Sequence, residues 1–215
     1  MSRAFFLAGT DTGVGKTLIA AALLRAAAAQ GLRALGMKPV AAGSAEDVDA
    51  LVAASNVQAP RNCVNPYLLR EPLSPHIAAC HDGIVVDLDR IARCFGELQE
   101  RADFLIVEGA GGFRVPLSET HDGGDLAARL GLPVILVVGL RLGCLNHALL
   151  TADAIRARGL RLAGWVANQV DAMMACVEEN VDTLRARIDA PLLGFVPHQA
   201  APAAARIAAL LELPS

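Results

Sequence analysis

The strongest chemical signal is a run of nine residues, Gly9-Thr10-Asp11-Thr12-Gly13-Val14-Gly15-Lys16-Thr17. A glycine-rich turn of this kind directs successive backbone N–H groups inward as a nest for phosphate oxygens, at the positive end of the helix that follows. Lys16 then reaches the outer phosphates, and the Thr17 hydroxyl is placed to ligate magnesium. Gly13 and Gly15 permit the close backbone approach. In the usual spacing, G-x-x-x-x-G-K-[ST], the first glycine would fall at Thr10; the nearest one, Gly9, stands one position earlier, so the loop is a variant. The chemistry it predicts is binding of a nucleoside triphosphate. Phe104-Leu105-Ile106-Val107-Glu108 adds an apolar strand ending in an acid, followed by Gly109-Ala110-Gly111-Gly112. Strand ends gather at the ligand crevice of an open parallel sheet, so Glu108 on the metal side and Lys16 can converge there. Lys38-Pro39-Val40 closes another strand at the same edge and brings a second cation.

The elements that must hold these groups are legible as alternating strand-length and helix-length segments. Expected strands run over 4–8, 34–37, 104–107, 134–139, 162–167 and 192–196. Several are apolar throughout, as in strands covered on both faces of a parallel sheet, and the alternation means α/β. The expected architecture is a single-domain P-loop fold over 1–215, a mostly parallel sheet with helices on both faces. The Ala-rich stretch from Lys16 to Gln30 reads as the first helix, ending at Gly31. Gly131 and Gly159 punctuate two later ones. Residues 59–86 hold Pro60, Pro66, Pro72 and Pro75 and are expected as a long loop with short turns. A C-terminal helix is expected over 203–213.

Composition narrows the function. The 215 residues are 54% hydrophobic and 19% charged, enough for a large core and unlike a disordered chain. A net charge of -3 gives no basic field for a phosphodiester backbone, so no nucleic-acid partner is expected. Apolar runs are broken before about 18 residues, so no membrane span is expected. The N-terminus lacks a signal-peptide pattern and the five cysteines show no C-x-x-C spacing. Reduced thiols and a cytoplasmic location follow as expectations. The histidines offer no transition-metal spacing.

Taken in order, the phosphate loop, Lys38-Pro39-Val40-Ala41, Val64-Asn65-Pro66-Tyr67, Ser74-Pro75-His76, Val107–Gly112, Pro133–Val138, Leu142–His147 and Gly164-Trp165-Val166-Ala167-Asn168 resemble dethiobiotin synthetase over nearly the whole chain. The resemblance implies a ligase that converts 7,8-diaminononanoate, CO2 and ATP into dethiobiotin, ADP and phosphate through a phosphorylated carbamate. It implies that Thr12, Lys16 and Lys38 face the carbamate and the transferring phosphoryl group, and that Thr17, Asp49 and Glu108 hold Mg2+. ATP, as co-substrate, would lie on Gly13, Val14, Gly15, Lys16 and Thr17, with Gly109, Ala110 and Gly111 close by. Asn168 and Gln169 with Pro197, His198 and Gln199 would line the base pocket. A homodimer is implied, in which Gly143, Cys144, Leu145 and Asn146 of the partner chain take the substrate's carboxylate, Asn146 capping its helix. Three positions depart from well-known members: Ala42 replaces a substrate-contacting Ser, Gly13 replaces a Glu found in some, and no aromatic lies between Trp165 and Phe195.

Two other readings share the loop. A switch ATPase of the partitioning and cell-division type would need a second loop lysine near Asp11 or Thr12, where this chain has an acid and a hydroxyl. An amidotransferase-type ligase would need a further glutaminase domain.

Overall fold

The computed structural model describes residues 3–214. Its main sheet is built from β1 (Arg3–Gly9), β2 (Ala34–Met37), β5 (Phe104–Gly112), β6 (Val134–Leu140), β7 (Leu162–Gln169) and β8 (Leu192–Val196), in the order β2-β5-β1-β6-β7-β8. Every pairing in it is parallel. A two-stranded parallel ladder, β3 (Val40–Ala42) with β4 (Tyr67–Leu69), sits apart. The expected strand limits hold for β2 and β8; β5 runs on through the glycines to Gly112.

Successive strand residues feed opposite faces, the period-2 rule of an extended chain. Phe6, Leu105, Val107, Leu136 and Val138 enter one core with α5 (Leu88–Gln99), α6 (Gly123–Leu130), α7 (Cys144–Ala157) and α8 (Val177–Arg187). Phe5, Leu7, Phe104, Ile106, Ile135 and Val137 enter the other, against α1 (Lys16–Ala29) and α2 (Glu46–Ala54). Helices on both faces explain why the strands read as unbroken apolar runs.

Three expectations about local structure are corrected. Residues 59–86 are not an extended loop: they contain α3 (Arg61–Val64), β4 and α4 (Pro75–His81). Proline there starts helices, Pro60 immediately before α3 and Pro75 in the first turn of α4, where a missing N–H costs nothing. The C-terminal helix is shorter than expected, α9 (Ala204–Ile207) followed by a 3₁₀ turn over Ala208–Leu210. The chain then extends so that the Glu212 N–H donates to the Leu193 carbonyl at 2.8 Å, fastening the C-terminal segment to β8. Asn146 is not a cap: α7 begins earlier, at Cys144, behind Gly143 in a left-handed conformation (φ 95°). Helix α1 begins in the same way behind Gly15 (φ 87°).

Gly194 makes the β8 attachment possible, since a Cβ there would lie 2.3 Å from the Leu210 carbonyl oxygen. Backbone cannot rotate away as a side chain can. Gly194→Ala is expected to destabilise by about 1–3 kcal/mol, with a lower urea midpoint and an unchanged slope. An unshifted midpoint would show that the C-terminal segment is not held by this contact.

Candidate active site

Register brings the charged groups together. In the β2–β5 ladder Met37 pairs with Val107, so the next residues, Lys38 and Glu108, emerge side by side at the carboxyl edge. Lys38 Nζ donates to Glu108 Oε1 at 2.5 Å and to Asp47 Oδ2 at 2.8 Å. Lys38 is 4% exposed and Glu108 fully buried. The Lys38 backbone is held on both sides: its N–H donates to Val64 O at 2.9 Å, and Asn65 Nδ2 donates to its carbonyl at 2.6 Å. Thr17, in the first turn of α1, lies 2.8 Å from both Asp47 Oδ1 and Glu108 Oε1.

The phosphate loop closes over this cluster. Lys16 Nζ donates to the Asp11 carbonyl at 3.0 Å, and the Thr12 N–H donates to Asp11 Oδ1 at 2.7 Å. A Cβ on Gly111 would lie 3.4 Å from Thr12 Oγ1 and one on Gly112 3.9 Å from Asp11 Cα, so the glycines after Glu108 form the opposite wall. A cavity of about 360 Å³ opens here, reaching from Thr10, Asp11 and Thr12 past Val115 and Pro116 to Leu150 on α7. A larger cavity, about 710 Å³, lies around His76 and His121; neither cavity is lined by Lys16, Lys38, Asp47 or Glu108, and the smaller one meets the site only through the phosphate loop.

Asn168 ends up against the loop, its Nδ2 donating to Val14 O at 2.8 Å in a buried position. Gln169 Oε1 accepts from the His198 N–H at 3.3 Å, which draws 197–199 beside the end of β7. The structure therefore brings His198 to Gln169 at the end of β7, with the Asn168 amide committed in part to the phosphate loop. Of the 143–146 segment, Cys144 is turned inward: its side chain is buried and its N–H donates to Arg141 O at 3.0 Å. Gly143 and Asn146 are exposed.

Of the acids on α2, Asp47 and not the expected Asp49 stands beside Thr17 and Lys38. Asp49 points outward and pairs with Arg61 at 2.6 Å, both side chains exposed. The phase of α2 decides this: Val48, Leu51 and Ala54 are its buried positions, and Asp47 precedes Leu51 by one helical turn. Reading the apolar positions before choosing among Glu46, Asp47 and Asp49 would have found it. Arg141, which ion-pairs with Asp11, carried no motif and was missed.

The AAA domain family pattern matches residues 3–206. An ATP-dependent dethiobiotin synthetase of Aromatoleum aromaticum is 56% identical over 220 residues, covering 99% of this chain and 98% of that protein. The chain belongs to the ATP-dependent dethiobiotin synthetase family. A second relative of that name, from Janthinobacterium sp., is 53% identical, covering 96% of this chain and 93% of that protein. Among solved structures, the septum site-determining protein MinD of Pyrococcus horikoshii, complexed with Mg-ADP, superposes with a TM-score of 0.60 at 18% identity, over 93% of this chain and 82% of that one. A ParA family ATPase of Chlorobium tepidum gives 0.57 at 15% identity, over 92% and 84%. These two show the fold alone.

The two lysines of the site stand in opposite electrostatic surroundings. Burial works against the Lys38 ammonium, but Glu108 and Asp47 outweigh it and hold the group above the ordinary lysine value. Complete burial pushes the Glu108 carboxyl up, with Lys38 pulling it down. Asp47 is held below the usual range: burial opposes this, and the charge and hydrogen bond of Lys38 prevail. Lys16 has no carboxylate so close. Burial, then the like charge of Lys38, lower it to about 8, against the pull of Glu108, Asp47 and Asp11.

A phosphate arriving at Lys16 favours the ammonium and raises this value. Above pH 8 the free lysine is partly neutral and the bound one charged, so ATP binding takes up a proton and affinity falls as pH rises. Calorimetry at about pH 9 in buffers of different ionisation heat should read that uptake. Lys16→Arg, which stays charged, should abolish it. Proton-neutral binding by the wild type would contradict this account of Lys16.

Proposed function

We propose that this chain closes the ureido ring of dethiobiotin from 7,8-diaminononanoate, CO2 and ATP. The observation that carries the reading is the buried Lys38 ammonium, set between Glu108 and Asp47 and beside Thr17 on the phosphate-loop helix, in a chain 56% identical to a dethiobiotin synthetase. One substrate nitrogen adds to CO2 and loses a proton, giving a carbamate. A carbamate oxygen attacks the γ-phosphorus of ATP, ADP leaves, and a mixed anhydride forms. The second amine then attacks the carbonyl and expels phosphate, losing a proton as the neutral ureido ring forms. Each step moves negative charge between oxygens, which suits a site whose contribution is positioned cations rather than covalent chemistry. Lys16 holds the outer phosphates, Lys38 faces the carbamate and the transferring group, and Thr12 orients the carbamate from the cavity wall.

Mg2+ fits this donor set. Thr17 Oγ1 has one proton yet faces two carboxylate oxygens, and Glu108 Oε2 is buried with no hydrogen-bond partner. Hard oxygen donors from two carboxylates and a hydroxyl, completed by substrate phosphates and water, are what this ion takes. Thr17, Asp47 and Glu108 would hold it; when bound it neutralises charge on the β- and γ-phosphoryl oxygens.

Phosphate release should require ATP, Mg2+, diaminononanoate and bicarbonate together, matched by dethiobiotin formed. Release indifferent to the amine would instead favour a switch ATPase. In the same assay Asp47→Asn should raise the Mg2+ needed roughly tenfold or more, and Asp49→Asn should leave it unchanged. The reverse pattern would return the metal side to Asp49.

A cytoplasmic homodimer is the finer reading. Its support is Leu142, 97% exposed on the turn before α7, and Leu150, exposed on α7 where it lines the cavity beside Thr12. A partner's 143–146 segment would then receive the substrate carboxylate. Asn146→Glu places an acid there without the strain that a side chain at Gly143 would meet at φ 95°. Mixed with Lys16→Ala, it should recover up to about one working site per heterodimer. No recovery despite subunit exchange, or a monomer under assay conditions, would exclude shared sites.

A further inference from the structure

Asp11 places a carboxylate at the mouth of a loop built to receive anions. It is also the residue on which the loop's working groups are hung: its Oδ1 accepts from the Thr12 N–H, and its carbonyl accepts from Lys16 Nζ. Left uncompensated, that charge would repel phosphate and carbamate and draw Lys16 inward, away from them. The remaining oxygen, Oδ2, is taken by the guanidinium of Arg141.

Topology makes this meeting obligatory. Strands β1 and β6 are parallel neighbours with Gly9 opposite Val137, and both end at the same edge. Thr10 N–H donates to Val137 O at 3.0 Å, and Gly139 N–H reaches Thr10 Oγ1 at 3.4 Å. A Cβ on Gly139 would lie 2.7 Å from Val14 Cγ1, so the end of β6 lies directly against the phosphate loop. Arg141, the first residue beyond β6, is thereby delivered to Asp11. Arg114, a cation that lines the cavity beside Asp11, is already paired with Asp122 at 2.5 Å.

We propose that Arg141 is a positioning residue for the reaction: by neutralising Asp11 it keeps the loop receptive to anions and holds Thr12 and Lys16 in place. The inference rests on the nucleotide-binding reading of the loop. Its distinguishing mark is that binding depends on Arg141 while stability does not, because the two side chains are 42% and 45% exposed and an isolated pair so placed adds little to folding.

Four variants test it by ATP calorimetry, steady-state kinetics and thermal melts. Arg141→Gln should weaken ATP binding about tenfold at low salt, with an unchanged melting temperature and a deficit that shrinks as salt rises. Arg141→Lys, which keeps the charge, should stay near wild type. Asp11→Asn retains the acceptor for the Thr12 N–H and removes the charge that Arg141 answers, so it supplies the background on which loss of Arg141 should cost little. The double variant Asp11→Asn/Arg141→Gln should recover most of what Arg141→Gln loses, because no uncompensated charge remains. Wild-type affinity in Arg141→Gln, or a double variant as weak as that single one, would overturn the proposal while wild-type ATP binding stands. A wild type that bound no ATP would remove the nucleotide reading itself, and this inference with it.

Discussion

Glu108 is a carboxylate with no access to water, and the site is organised around making that tolerable. An unpaired carboxylate at such depth would cost several kcal/mol and would take up a proton instead. Lys38 satisfies one oxygen, and it can do so only because β2 and β5 are in a register that ends them together. Asp47 then balances the surplus of two lysines over one acid, and Thr17 is caught between the carboxylates. The oxygen left over, Glu108 Oε2, has no protein partner. The formal charges of the cluster are thus balanced, two lysines against two carboxylates, while one buried carboxylate oxygen is left without a protein partner beside the phosphate loop.

A second constraint is proximity. The loop can lie flat on the sheet edge only where neighbours lack side chains. A Cβ at Gly15 would meet Asn168 Nδ2 at 2.3 Å, and one at Gly9 would meet Val14 Cγ2 at 2.8 Å. Gly15 carries a double requirement, since its left-handed φ of 87° starts α1 as well. Asn168 uses the space to donate to the Val14 carbonyl, tying the end of β7 to the phosphate loop. Positions that look like independent motifs along the chain are therefore one packed unit in space.

The sequence made the sheet legible because its strands are covered on both faces, and such strands show themselves as apolar runs whatever their order. The phosphate loop, Lys38 and Glu108 were legible because strand ends at one edge must converge. That Asp47 rather than Asp49 faces Lys38 and Thr17 was not legible, because three acids in four residues all sit at a helix start and only helical phase separates them. The ordered structure within 59–86 was hidden by prolines, which mark helix starts as readily as loops. Arg141 was invisible for a different reason: its importance comes from a partner 130 residues away, and nothing local distinguishes it from a solvated arginine.

The same architecture serves proteins as different as a septum site-determining protein and a partitioning-type ATPase, at 15–18% identity, so the sheet and the loop do not decide the reaction. What decides it is the charge pattern at the carboxyl edge. The hydroxyl of Thr12 and the carboxylate of Asp11 line the 360 Å³ cavity, which runs on between apolar walls at Val115, Pro116 and Leu150. On the proposed reading an aliphatic chain lies along those walls with its reacting end toward the phosphate loop, and the Asp11 charge that this end meets is answered by Arg141 from another strand. On that reading the reaction is encoded less by the nucleotide motif than by the ion-paired groups arranged around it: Lys38 following β2, Asp47 from α2, Glu108 from β5 and Arg141 from the end of β6.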